Sequence, residues 1–360
     1  MTDPILVLAW LVLAHLVADF VLQTGRVARL KAGAGRHAVA GLLVHGLVAA
    51  ACLVPVGLAF ADRGWAFVAV SAVSHVAIDR SKVILTRRAA AAALREARER
   101  HEGPQPADHL GRAWTPAPAA LFLADQAAHL VVLGWAWAAL LATTPLTAGW
   151  TSAVDGWLDG WDRGAVHAVV ATAVVLASLA IVNIRAASLF VAILVRPVEA
   201  GIDGTHRWGG RATPLSESAA PAASAAPGGA TPDATSATRR WTIRLGPLDA
   251  RLTAEPAGAA APGTASPAPA PGAPAGVPVG ASARVGATIG ILERILIVVF
   301  VLTGTDVAIG FVVAVKTLAR FKLLDDRAFA EYYLLGTLAS VAVAIVTALA
   351  GRAALTALLG

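Results

Sequence analysis

Eight long stretches of continuous apolar sequence constrain this chain more than any other feature. They fall near 4–24, 38–58, 65–86, 117–142, 165–195, 288–303, 305–319 and 329–350. A helix needs ~20 apolar residues to cross a bilayer core, where the backbone must satisfy its own hydrogen bonds. The runs are uninterrupted, unlike the alternation of a transmembrane β-barrel. The expected fold is therefore all-α: a polytopic integral membrane bundle with seven or eight membrane segments. Composition agrees, at 57% hydrophobic and 14% charged residues.

Between the fifth and sixth runs the composition changes. Residues 212–283 are dominated by Ala, Pro, Gly, Ser and Thr. Such a stretch buries too little apolar surface to offset the entropy of ordering it. The expected organisation is a five-helix membrane domain over 1–197, a disordered linker over 198–284 and C-terminal membrane segments over 285–360. An island inside the linker, RRWTIRLGPLDARL at 239–252, is a candidate short amphipathic element. Asp3 and the lack of a basic leader argue for a retained first helix rather than a signal peptide. The single cysteine, Cys52, excludes an internal disulfide and any multi-cysteine zinc site.

The charge pattern gives an orientation. Arg26, Arg29, Lys31 and Arg36 follow the first run, and Arg80, Lys82, Arg87, Arg88, Arg95, Arg98 and Arg100 follow the third. Cytoplasmic loops carry such an excess. The segment after the fourth run, TPLTAGWTSAVDGWLDGWDRG, holds three Trp, three Asp and one Arg. It suits an outer interface with aromatic anchors. The expected topology puts the N-terminus outside and the linker in the cytoplasm. The net charge of +6 is accounted for by these loops rather than by a nucleic acid partner. Residues 288–320 fit this topology only as two helices meeting at TGTD, 303–306, in a re-entrant hairpin. Fifteen residues reach only ~23 Å, short of the ~30 Å core.

Ionisable residues inside such runs are costly and mark function by default. Three pairs stand out: His15 with Asp19, His75 with Asp79, and Asp125 with His129. Each is spaced i,i+4, so both members share one helix face. The order is reversed in the fourth helix, which runs the opposite way. In all three helices the carboxylates then lie at one level, with the imidazoles ~6 Å deeper. His45, in the second helix, falls near the carboxylate layer, with Gln23, Gln126 and Lys82 close by. Imidazole and carboxylate together are ordinary ligands for zinc, manganese or iron. The candidate metal ligands are His15, Asp19, His45, His75, Asp79, Asp125 and His129, enough for two divalent ions. Asp19, Asp79 and Asp125 are also candidate general bases, and Gln23 and Gln126 can orient water or substrate. Simpler pairings compete: Asp79 with Lys82, and Asp19 with a loop arginine. No Walker A loop, nucleophile elbow, HExxH or dinucleotide fingerprint is present.

This set resembles a family of bacterial multi-pass membrane proteins catalogued as a domain of unknown function. The resemblance rests on HxxxDFxxQ (His15, Asp19, Phe20, Gln23), a histidine in the second helix (His45), HxxxDxxK (His75, Asp79, Lys82) and DQxxH (Asp125, Gln126, His129). It covers residues 5–135. A C-terminal pattern shared with longer members touches Gly290, Glu293, Arg294, Lys316, Arg320, Phe321, Glu331, Tyr332, Gly336 and Thr337. The resemblance implies the fold, the residue set and a bacterial plasma membrane, with no reaction attached. The expected function is a metal-dependent hydrolase acting on a lipid or lipid-linked substrate near the cytoplasmic leaflet. The alternatives are a transporter or proton relay using the same residues, and a structural membrane scaffold.

Overall fold

The computed structural model describes residues 3–33, 35–99, 112–199, 240–245, 248–253, 279–321, 324–325 and 327–360. Helix α1, Pro4–Leu16, starts where Asp3 caps it: the carboxylate accepts from the Ile5 N–H at 2.8 Å. It continues as a π-helical turn, Val17–Leu22. After the short α2, Gly25–Lys31, comes α3, Gly35–Cys52. Helix α4, Val54–Glu99, is broken at Ala61, whose φ is +49° and ψ −130°. The carbonyls freed there find partners, since Thr147 donates its N–H to Ala59 at 2.9 Å and its hydroxyl to Leu58 at 3.4 Å. Beyond the break, α4 runs for about 57 Å, well past a bilayer core.

Helix α5 is Ala117–Leu140 and the tryptophan-rich α6 is Ala148–Trp157. Helix α7, Arg163–Ile181, passes through a second π-helical turn, Val182–Ala186, into α8, Ala187–Val195. Then follow α9, Val279–Thr303, α10, Val307–Ala319, and α11, Arg327–Leu359. Among the described residues, seven helices are long and apolar enough to cross a membrane, and α10 is a shorter apolar helix. The fold is thus the all-α polytopic membrane bundle expected. The sixth and seventh runs are divided at Gly304, φ +71°, and a Glu293–Lys316 ion pair ties α9 to α10. Only α10 is short: α9, at 25 residues, reaches about 37 Å.

Met1–Arg211 and Ala283–Gly360 form one compact unit, so the N- and C-terminal helices share a body. One apolar cluster joins Leu11, Leu53, Phe67 and Leu133 of α1, the α3–α4 turn, α4 and α5. Another joins Leu179 of α7, Ile297 and Val301 of α9 and Ala344 and Ala348 of α11. The only sheet in this unit among the described residues is the pairing of β1, Arg112–Ala113, with β2, Val198–Glu199. The second unit is Ala212–Ser282. Within it β3, Arg240–Leu245, pairs antiparallel with β4, Leu248–Thr253, so the island forms a β-hairpin. Of the expected linker, Val198–Glu199 falls in β2 and the residues from Val279 on fall in α9; the remainder lies outside the described residues.

Candidate functional site

Close helix approach builds the site. A Cβ on Gly46 would lie 2.5 Å from Val76 Cγ2, so glycine lets α3 press against α4 beside His45 and His75. A Cβ on Gly41 would meet the Lys31 backbone N at 2.7 Å, so α2 folds onto α3 and turns Lys31 inward. The π-helical turn after α1 carries Asp19. Such turns recur at functional sites because they displace one side chain from the helical register.

His15, His45, His75, His129, Asp79 and Asp125 are all buried, and the Asp19 side chain is 7% exposed. The four imidazoles form one cluster: His15–His129, His45–His75 and His75–His129 have ring centroids 4.9, 4.8 and 4.4 Å apart. Within the three sequence pairs, the imidazole–carboxylate distances are 3.9, 3.8 and 3.8 Å. These are too long for hydrogen bonds. Contacts between helices are shorter. His45 Nε2 lies 2.9 Å from His75 Nε2 and 3.2 Å from Asp19 Oδ1, and His75 Nε2 lies 3.3 Å from Asp19 Oδ1. The pairs therefore serve a shared centre, not their own helices.

Lysines neutralise two of the carboxylates. Lys31 Nζ pairs with Asp79, and Lys82 Nζ pairs with Asp125 at 2.6 Å. The Asp79–Lys82 pairing open in the sequence is not the one formed. Among the described residues Asp19 has no Lys or Arg partner; Gln126 Nε2 approaches its Oδ2 at 3.4 Å and donates to Asp125 Oδ2 at 3.0 Å. Gln23 accepts from Lys31 at 3.4 Å, so it steadies a lysine rather than facing the imidazoles. Lys31 is the functional residue missed in the sequence, where it sits in a basic loop and counts toward orientation.

The ring protons are set by chemistry. His129 Nδ1 is 2.8 Å from the Asp125 carbonyl, which can only accept, so Nδ1 carries a proton and, in the neutral ring, Nε2 is the lone-pair nitrogen. Among the described residues, His129 Nε2, His15 Nε2 and Ser71 Oγ are buried and make no hydrogen bond of good geometry. His15, His129 and Ser71 line a cavity of ≈ 30 Å³, room for a water. Three groups of His and Asp can each hold a metal ion: His15, Asp19 and His75; His45, His75 and Asp79; and Asp79, Asp125 and His129.

Charge limits how many ions fit. Three carboxylates and two lysines leave one negative charge when the imidazoles are neutral. One divalent ion would take the centre to +1 and two would take it to +3, so a single ion leaves the smaller charge to bury.

Residues 7–157 match the model of a family described as a protein of unknown function (DUF3307). The whole His/Asp centre lies inside the match, and α7 to α11 lie outside it. No curated protein and no solved structure matches the chain.

Proposed function

We infer that this chain, whose residues 7–157 form a domain of the DUF3307 family, is a metal-dependent hydrolase acting on a lipid or lipid-linked substrate. One divalent ion, zinc before manganese or iron, would be held by His45, His75 and Asp19, a set that draws on two of the three groups above. The observation that carries the reading is the spacing of three donor atoms from three helices: 2.9, 3.2 and 3.3 Å between His45 Nε2, His75 Nε2 and Asp19 Oδ1. Ligands ~2.0–2.1 Å from a tetrahedral ion lie about 3.3 Å apart. Two imidazoles and one carboxylate leave a fourth position open, as catalytic zinc sites do.

When bound, the ion would supply Lewis acidity and water activation near neutral pH. The chain's own groups do the rest. Asp79, whose Oδ2 lies 3.5 and 3.8 Å from the two Nε2 atoms, would take a proton from the attacking water. Lys31 pairs with Asp79 and holds its carboxylate in place. Gln126 engages Asp19 Oδ2 and leaves Oδ1 for the ion. The Nε2 lone pair of His129 accepts a hydrogen bond from water in the adjoining cavity. The setting supports a lipid substrate class, since the helices that carry the four imidazoles and three carboxylates are long and apolar enough to cross a bilayer.

Elemental mass spectrometry of the protein, purified without chelators, tests this. Wild type should carry about one equivalent of a divalent metal, as one three-ligand site holds, and His75→Ala should lose it while still inserting. Wild type without metal even after supplementation refutes the reading. That result would favour a proton relay, for which the lysine–carboxylate pairs Lys31–Asp79 and Lys82–Asp125 speak. Neither pairing is needed to hold an ion, and both are suited to proton exchange.

A further inference from the structure

The C-terminal helices contain a second polar centre that the His/Asp site does not use. Arg294 on α9 is 4% exposed. Its Nε donates to the Asn183 carbonyl at 2.7 Å, Nη1 to Ser340 Oγ at 3.0 Å, and Nη2 to Ser188 Oγ. The Asn183 carbonyl is free because of the second π-helical turn, where the Ala187 N–H donates to Val182 instead. A guanidinium has five N–H donors, so two remain. Among the described residues no carboxylate forms an ion pair with Arg294; its neighbour Glu293 is engaged by Lys316.

A second guanidinium lies on the same face of α9. A Cβ on Gly290 would sit 3.6 Å from Arg294 Nη1, and one on Gly286 would sit 3.9 Å from Arg320 Nη2. Positions 286 and 290 are one turn apart, ~6 Å along the axis. Arg320 also lies over the Tyr333 ring at 5.8 Å and forms no ion pair among the described residues, and Lys316 Nζ approaches the same ring at 5.8 Å. Tyr333 is 8% exposed, and its hydroxyl makes no hydrogen bond of good geometry among the described residues, with Thr317 and Thr337 its nearest polar neighbours. Arg294, Lys316 and Arg320 against Glu293 leave two uncompensated positive charges. In an apolar bundle such charges call for an anion.

We propose that Arg294, Arg320 and Tyr333 form a binding site for a phosphate-class anion over the glycine face of α9, at Gly286 and Gly290. Guanidinium N–H groups match the tetrahedral oxygens of phosphate, and two guanidiniums over adjacent turns of one helix face can converge on one anion. The anion is either the headgroup of an anionic phospholipid or free phosphate. The site is independent of the metal reading and shares no residue with it.

The test is thermal unfolding of the full-length protein in mild detergent, titrated separately with dihexanoyl phosphatidylglycerol, dihexanoyl phosphatidylcholine and inorganic phosphate. Arg320→Gln and Arg294→Lys are compared with wild type. Stabilisation by the glycerol lipid over the choline lipid, with Arg320→Gln weakening it about tenfold, supports the site and a headgroup ligand. The same dependence with inorganic phosphate supports the site and a soluble ligand. No stabilisation by either anion, or equal midpoints in wild type and Arg320→Gln, overturns the proposal. Arg320 is only partly buried and makes no structural hydrogen bond to a side chain among the described residues, so Arg320→Gln keeps the test decisive if Arg294→Lys fails to fold.

Discussion

Lys31 decides how buried charge balances at the His/Asp centre. It is 6% exposed and pairs with Asp79, which is 3% exposed. Removing one partner of a buried pair leaves an uncompensated charge and costs about 3–5 kcal/mol, whereas removing both often costs little. Lys31→Met is therefore expected to destabilise the protein by about 3 kcal/mol. Lys31→Met with Asp79→Asn should recover most of that loss in a denaturant unfolding series. A neutral single variant would mean that the ammonium reaches water. This residue also marks where the sequence stops being legible. The pairs could be read because i,i+4 spacing and the reversal in the fourth helix are local facts. Lys31 joins the site through the fold of α2 onto α3, a contact with Gly41 that no local pattern announces.

At the scale of elements, the site depends on how closely α3 and α4 pack. Gly46→Ala places a methyl group 2.5 Å from Val76 Cγ2. Overpacking of this kind costs about 1–3 kcal/mol, and here it wedges His45 away from His75. The expected outcome is lower stability together with reduced metal content, and Val76→Ala in the same chain should restore both. If Gly46→Ala keeps full metal content, the close approach of the two helices does not set the donor spacing. The break in α4 offers a second test. Ala61 has φ +49° and ψ −130°, a conformation that L side chains strain to adopt. Ala61→Gly should raise stability by about 1 kcal/mol, read as a higher unfolding midpoint. The break was invisible in the sequence because alanine is a strong helix former, so the second and third runs were divided only by composition. The two π-helical turns were equally hidden. Apolar runs fix where a helix must be, and they say nothing about one extra residue within a turn.

For the whole molecule, the two ends of the site differ in polarity. On the imidazole side, Leu11, Leu53, Phe67 and Leu133 pack as a buried apolar cluster across four segments. On the carboxylate side, the Lys82 side chain is 27% exposed, more than any other Lys or His side chain paired with Asp19, Asp79 or Asp125. Entry of water and ions past Lys82 is therefore the expectation to test. The distribution of Lys and Arg predicts that this end faces the cytoplasm. Cysteine labelling in oriented vesicles checks it, because the chain has a single native cysteine. In a Cys52→Ser background, Arg88→Cys on the basic part of α4 should react with an impermeant maleimide only from the cytoplasmic face. Ser152→Cys on α6 should react only from the opposite face. A membrane-impermeant chelator should accordingly strip metal from inside-out vesicles much faster than from right-side-out ones. Labelling of both positions from one face would break the expected topology. Equal chelation from both faces would instead mean that water passes the Leu11–Phe67–Leu133 cluster, and would turn the centre from a one-sided hydrolytic site into a candidate conduction path.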